Sequence, residues 1–250
     1  MENLFEKTNY LNKEIKYLKN VKIQEFDIRS AALSAIKTGK LLSEDKIKKL
    51  ESLPKLKRNI QIGLEIKRNP ELGEKISKLL ETARKCFIEA NKIPEASILS
   101  IKKDAIFIIN CKIEKTKFMS FEFVLKNQYT SYAYINKKEF YFNSEKMQLD
   151  VKGISEVSKE QGKDFILKDI GKILKCGEKL TQVQLFNYLK RYRSEYLNRK
   201  VNKETYREID SEYFRYKENL LDDISDEMIK EIDISQNYIN YVIPLISLML

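Results

Sequence analysis

Histidine and tryptophan are both missing from this chain of 250 residues. Without an imidazole, catalytic triads built on a histidine base are excluded, and so are the usual zinc sites. The three cysteines, Cys86, Cys111 and Cys176, are far apart in sequence and odd in number. That argues against a disulfide framework or a paired-cysteine metal cluster, and they are expected to pack as small buried hydrophobes. Seven glycines leave no dinucleotide fingerprint, and the stretch GKILKCGEK has the wrong spacing and residues for a phosphate loop. No apolar run approaches the roughly 18 residues of a membrane span, and the opening MENLFEKTNYLNKEIKYLKN lacks the apolar centre of a secretion signal. A cytoplasmic location without membrane contact is expected. Any chemistry must come from carboxylates, lysines and an oxygen-ligated ion such as Mg²⁺ or Mn²⁺.

What is abundant is charge. The net charge is +10, divided into +16 over residues 1–200 and −6 over residues 201–250. A basic body suits a polyanion such as nucleic acid, and the acidic C-terminal region offers a surface for a protein partner. The Lys, Ile, Asn and Tyr bias suggests a low-GC source, with a phage or mobile element among the candidates.

Along the chain, Leu4, Leu11, Ile15 and Leu18 recur at helical spacing, so residues 4–20 are expected to form a helix. VKIQEFDI then reads as a strand, and RSAALSAI turns to helix-tolerant residues, which places Asp27 near a strand-to-helix junction. Ser43 is placed to cap a short helix that Pro54 ends. The basic segment KLKRNIQIGLEIKRN follows, and Pro70 opens a long amphipathic helix to about residue 91. SILSIKKDAIFIIN is two apolar strands with Asp104 at their seam. Residues 117–154 are strand-like and aromatic, and from about residue 158 the pattern is helical. In LFNYLKRYRSEYL, the stripe of Leu185, Tyr188, Leu189, Tyr192 and Tyr196 is expected to be core rather than a base-stacking platform. The terminal YVIPLISLML reads as a short buried helix. The expected class is α+β with antiparallel strands, in two regions, 1–155 and 156–250.

Two acids stand out. Asp27 and Asp104 each sit at a strand end within apolar sequence, where an unpaired carboxylate is costly. Two carboxylates on adjacent strands suit divalent-ion chemistry that aligns a hydroxyl with a phosphate, and Lys55, Lys57 and Arg58 would complement them by gripping a triphosphate.

The order of these elements resembles the palm of family B DNA polymerases. The family's first motif, Asp-x-x-Ser-Leu-Tyr-Pro-Ser, is similar to DIRSAALS, with Asp27, Ser30 and Ser34 kept. The second, Lys-x-x-x-Asn-Ser-x-Tyr-Gly, is similar to KLKRNIQIG, with Lys55, Asn59 and Gly63 at the same spacing. The third, Tyr-x-Asp-Thr-Asp-Ser, keeps its second acid as Asp104. KNQY supplies Lys126 and Tyr129 for a Lys-x-Tyr-type element, and DVKGI supplies Lys152 and Gly153 for a Lys-Gly pair before the thumb. The resemblance implies a polymerase-palm-like region over residues 1–155, with rudimentary fingers at about 40–92, and a helical thumb-like region over 156–250. It implies that Asp27 and Asp104 are catalytic metal ligands for Mg²⁺ or Mn²⁺. Ser30, Lys55, Arg58 and Asn59 would bind the nucleoside triphosphate, and Lys126, Tyr129, Lys152 and Gly153 a DNA or RNA–DNA primer-template. The chain departs from the pattern at Lys102, which stands where the third motif has its first acid, and at Ala32, which replaces the tyrosine that screens against ribonucleotides.

Two alternatives have their own residues. Asp150-Val151-Lys152 fits the Asp/Glu-x-Lys element of Mg²⁺-dependent nucleases, with Asp104 or Glu122 as the upstream acid. A non-catalytic nucleic-acid-binding or partner-binding protein derived from a polymerase palm would use the basic body and the acidic C-terminus, and Lys102 favours it.

Overall fold

The computed structural model describes residues 9–201, 205, 209 and 237–250. The chain is mixed α+β with antiparallel sheets and C-terminal helices. It divides into two compact units. The first holds residues 1–13 and 23–128, the second residues 14–22 and 129–250.

The first unit is a six-stranded sheet backed by helices. In chain order its elements are β1 (Asn9–Leu11), β3 (Ile23–Ile28), α1 (Ala31–Gly39), α2 (Glu44–Ser52), α3 (Lys55–Arg68), α4 (Pro70–Ala90), β4 (Ile98–Lys102), β5 (Ala105–Ile109), β6 (Lys117–Phe118) and β7 (Phe121–Tyr129). The strand order is β1-β4-β5-β3-β7-β6. Period-two alternation sends Phe26 and Ile28 of β3 to one face, where they meet Ile98, Ile101, Ile106 and Ile108 of the β4–β5 hairpin and the buried stripes of α1 and α4. Phe87 of α4 is the hub. Its ring stacks on Phe123 at 4.2 Å between centroids and lies 5.4 Å from Phe26.

The second unit is built on β2 (Tyr17–Leu18), β8 (Ser131–Ile135), β9 (Lys138–Asn143) and β10 (Gln148–Lys152), ordered β10-β9-β8-β2. Its helices are α5 (Glu156–Gln161), α6 (Gly171–Lys179), α7 (Gln182–Leu197) and α8 (Ile243–Met249), with π-helical turns over Phe165–Ile170 and Tyr238–Val242. Thr181 and Gln184 form a reciprocal capping box that starts α7. Leu185, Leu189, Tyr192 and Tyr196 of α7 are buried, and Tyr196 stacks on Tyr238 at 4.0 Å. The tyrosine stripe is core.

Three expectations need correction. The helix expected over residues 4–20 is, in its described part, two short strands: β1 pairs with β4 (Asn9↔Lys102) and β2 with β8 (Tyr17↔Ala133). Open sheet edges offer unpaired backbone groups, and that pairing outweighs a helical spacing of four apolar residues. The boundary expected at residue 155 falls between residues 128 and 129. Phe140, Phe142 and Val151 share one core with Phe165, Ile173 and Leu189, so β8–β10 belong with the helices that follow them. The cysteines are free and partly buried rather than fully so. Most of the acidic stretch after residue 201 lies outside the described residues. Among the described residues, no helix is long and apolar enough to cross a membrane.

Candidate active site

The site is assembled at one end of β3 in the first unit. β3 pairs antiparallel with β5 in a register that sets Asp27 opposite Ala105 and Glu25 opposite Phe107. Because alternate residues share a face, Glu25 and Asp27 lie together on the side away from Phe26 and Ile28. The β4–β5 hairpin turns through Lys103 and Asp104, with Lys103 in the left-handed region at φ 55°. The Ile28 amide donates to the Asp104 carbonyl at 3.1 Å, which fixes the hairpin tip against the end of β3.

This brings the two expected acids together. The register and the Ile28–Asp104 backbone bond set Asp104 beside the end of β3 that carries Asp27. Burial, and then the negative charge of Asp27, push Asp104 above the ordinary aspartate range. Asp27 Oδ1 is buried and takes no hydrogen bond. An orphaned carboxylate oxygen beside a second carboxyl is a donor set for a hard divalent cation, and Mg²⁺ characteristically takes one or two carboxylates together with substrate phosphates. Asp27 is also paired with Lys126, and no group of three or more acidic or cysteine side chains suited to a metal occurs among the described residues.

Lys126 was expected on nucleic acid, yet its ammonium lies 3.3 Å from Asp27 Oδ2 and 3.7 Å from Glu25 Oε1. Burial alone lowers the affinity of this amine for its proton, but Glu25, Asp27 and Asp104 together outweigh burial and raise it. Glu25 is 1 % exposed and also accepts from Asn127 Nδ2 at 2.7 Å.

Of the expected nucleotide-binding residues, Ser30 and Arg58 meet. Ser30, left-handed at φ 50°, precedes α1, and its hydroxyl accepts from Arg58 Nη2 at 2.9 Å. Lys55, Asn59 and Gly63 follow at four-residue intervals on α3, so they lie along one side of it. Lys55 and Asn59 are exposed, and a Cβ at Gly63 would meet nothing within 4 Å. α3 thus presents an open surface with a cation at its first residue.

The remaining expected residues lie in the second unit and are engaged in its structure. Tyr129 is 1 % exposed and donates its hydroxyl to Asp150 Oδ2 at 2.5 Å, so it is a core residue and not a surface contact. Gly153 has φ +93°, and its carbonyl accepts from Lys138 Nζ at 2.6 Å, which makes it a turn device. Lys152 is half-buried on β10, opposite Glu139 in register. The nuclease alternative is weakened on the same grounds. Asp150 is held by Tyr129, and Glu122 is paired with Arg29 at 2.9 Å and Lys117 at 3.6 Å.

The family described as Bacteriophage PBS1 gene 130 protein matches residues 1–250. The chain belongs to that family. Its description supports the phage origin suggested by composition. No curated protein matches the sequence.

In this phage family protein, one supporting residue escaped sequence reasoning. Arg84 of α4 is 2 % exposed and donates from Nη1 to the Lys103 carbonyl at 2.7 Å, while its Nε and Nη2 make no hydrogen bond. It anchors the turn that carries Asp104, and burial lowers its pKa against the pull of Glu81 and Asp104. In sequence it is one cation in an amphipathic helix, indistinguishable from its solvated neighbours. Replacing a poorly satisfied buried charge by an apolar side chain of similar length costs little stability. Arg84→Met is therefore expected to change the unfolding free energy by less than about 2 kcal/mol in urea denaturation. A loss of stability near 4 kcal/mol would instead mark Arg84 as half of a buried ion pair required for folding.

Proposed function

We propose that the chain binds a nucleic-acid primer-template and transfers nucleotides with Mg²⁺ or Mn²⁺, as a reduced relative of the family B polymerase palm. The observation that carries this is the placement of Asp104, on the β4–β5 turn, beside the end of β3 that carries Asp27, with Asp27 Oδ1 left unpartnered. The order of motifs along the chain and the basic body support it.

In this scheme Asp27 and Asp104 hold the ion, whose role is to stabilise negative charge developing on the transferred phosphate and on the attacking oxygen. Lys55 and Arg58 neutralise the triphosphate. Ser30, held by Arg58, fixes the chain where β3 enters α1, and the open side of α3 accommodates the nucleotide. Ala32 has no ring to screen a 2′-hydroxyl, so discrimination against ribonucleotides is expected to be weak.

The test is extension of a labelled primer-template by the purified chain, with Mg²⁺ and with Mn²⁺, using deoxy- and ribonucleotides. Extension that requires the divalent ion supports the proposal. Absence of extension with either metal and either nucleotide sinks it. A second reading, non-catalytic nucleic-acid binding, is favoured by Lys102 in place of the third acid. It predicts binding whose log affinity falls linearly with log salt and is unchanged in the Asp27→Asn and Asp104→Asn variants.

A further inference from the structure

We propose that the second unit carries a binding pocket for a small phosphate monoester, formed where α7 faces the π-helical turn at Phe165–Ile170 and the start of α6. The pocket shares no residue with the carboxylate pair of the first unit, and it does not depend on the function proposed above.

The pocket has a volume of about 430 Å³, within the range of roughly 300–1,000 Å³ that small ligands occupy. Helical spacing builds its walls. Tyr188, Arg191, Tyr192 and Glu195 recur at three- and four-residue intervals on one side of α7, and Lys168, Asp169 and Lys172 line the pocket with them. The fourth cation arrives by a turn. Arg199 is left-handed at φ 58°, the Lys200 amide donates to the Glu195 carbonyl at 2.8 Å, and the Arg199 amide donates to the Tyr196 carbonyl at 3.0 Å. This is the Schellman arrangement, and it folds Lys200 back beside the last turn of α7. Left-handed backbone is unfavourable for a residue with a side chain, so the turn that brings this cation in is held against a local penalty.

The charges of the pocket do not cancel. Four cations and two carboxylates line it, and both carboxylates are engaged. Glu195 meets Arg191 at 3.6 Å, while Asp169 accepts the Thr205 hydroxyl and is pushed up in pKa by burial. Lys168 is paired with Asp164 at 2.9 Å, whereas among the described residues Lys172 and Lys200 make no ion pair. The Arg191 guanidinium lies 5.9 Å from the centre of the Tyr188 ring, a cation–π contact that steadies its planar fork. Tyr192 is 7 % exposed, yet its hydroxyl makes no hydrogen bond, and an unsatisfied buried hydroxyl calls for an acceptor. A phosphate monoester answers these features together. Its two negative charges match the excess of cations, a guanidinium grips it through parallel hydrogen bonds, and its oxygens accept from a hydroxyl. A carboxylate would bring half the charge.

The test is calorimetric titration of the full-length chain, at low ionic strength, with inorganic phosphate, with adenosine monophosphate and with adenosine as the uncharged control. Wild type should bind both phosphate-bearing probes and ignore adenosine. Lys172→Gln/Lys200→Gln should weaken that binding by at least about tenfold, as expected for lost charge-assisted hydrogen bonds, and Tyr192→Phe should weaken it by about threefold. Lys190→Gln/Arg193→Gln makes the same charge change at exposed positions of α7 outside the pocket and should alter binding by less than about twofold. Circular dichroism checks that the variants are folded. No binding of either phosphate probe to wild type at millimolar concentration would overturn the proposal. Equal losses in the two double variants would also overturn it, since they would mark diffuse attraction to a basic surface. A single-stranded oligonucleotide that binds through Lys172 and Lys200 while adenosine monophosphate does not would overturn it too, and would assign these cations to a strand.

Discussion

On the proposed function, Asp104→Asn is expected to reduce metal-dependent nucleotide transfer by about a thousandfold or more, because it removes one of the two carboxylates proposed to hold the ion. Asp27→Asn should do the same. The companion expectation has the opposite sign: without metal, Asp104→Asn should raise the melting temperature near neutral pH. Burial and the Asp27 charge lift Asp104 above its unfolded value, so the folded chain holds that proton more tightly than the unfolded chain does. Linkage then makes stability fall as pH rises from the ordinary aspartate range through the raised value. Asparagine carries no such charge, so its advantage should be present at neutral pH and vanish at the acid end of that window. Thermal melts in chelator across the range, beside primer extension in Mg²⁺, read both effects. A variant that loses activity by losing stability would show that the pair is structural. A destabilised but functional site is the usual sign of residues kept for chemistry.

Phe87→Ala is the largest expected stability effect. The ring is fully buried, stacked on Phe123 and tilted against Phe26, and it ties α4 to the core face of β3 and β7. Truncating a buried phenylalanine to alanine costs about 3–5 kcal/mol, because the cavity adds to the lost transfer energy. Urea denaturation monitored by circular dichroism should show a loss of that size in the first unit's transition. Phe26 sits next to Asp27 in the chain, so the site is expected to fail together with the fold. A loss below about 1 kcal/mol would mean that neighbouring side chains collapse into the space.

The pieces of the site that were legible in the sequence are those that depend on local pattern. IQEF and ILSIKK announce strands, and an acid at the end of each is conspicuous against apolar neighbours. Lys55, Asn59 and Gly63 lie on one helix side because their spacing is helical, and Pro70 begins α4 as its fixed φ allows. Glu25 was within reach as well, since period-two alternation in IQEFDI puts it on the face of Asp27. Arg84 was not, because its value lies in a single bond to a turn nineteen residues away. Lys126 meets Asp27 and Glu25 through the sheet order, and nothing local says that β7 lies beside β3. Tyr129 was misjudged because a tyrosine beside a lysine looks the same whether its hydroxyl meets solvent or Asp150. The short strands at residues 9–18 were hidden because edge pairing is decided by the sheets they join, not by their own periodicity.

The central claim is that Asp27 and Asp104 jointly hold a divalent ion. The most direct measurement is an anomalous difference map from crystals of the full-length chain soaked in Mn²⁺. The account predicts a peak within direct bonding distance of both carboxylates, absent from Asp104→Asn crystals treated alike. A map with no peak between the two acids, at a Mn²⁺ concentration that labels other sites on the same molecule, would contradict it.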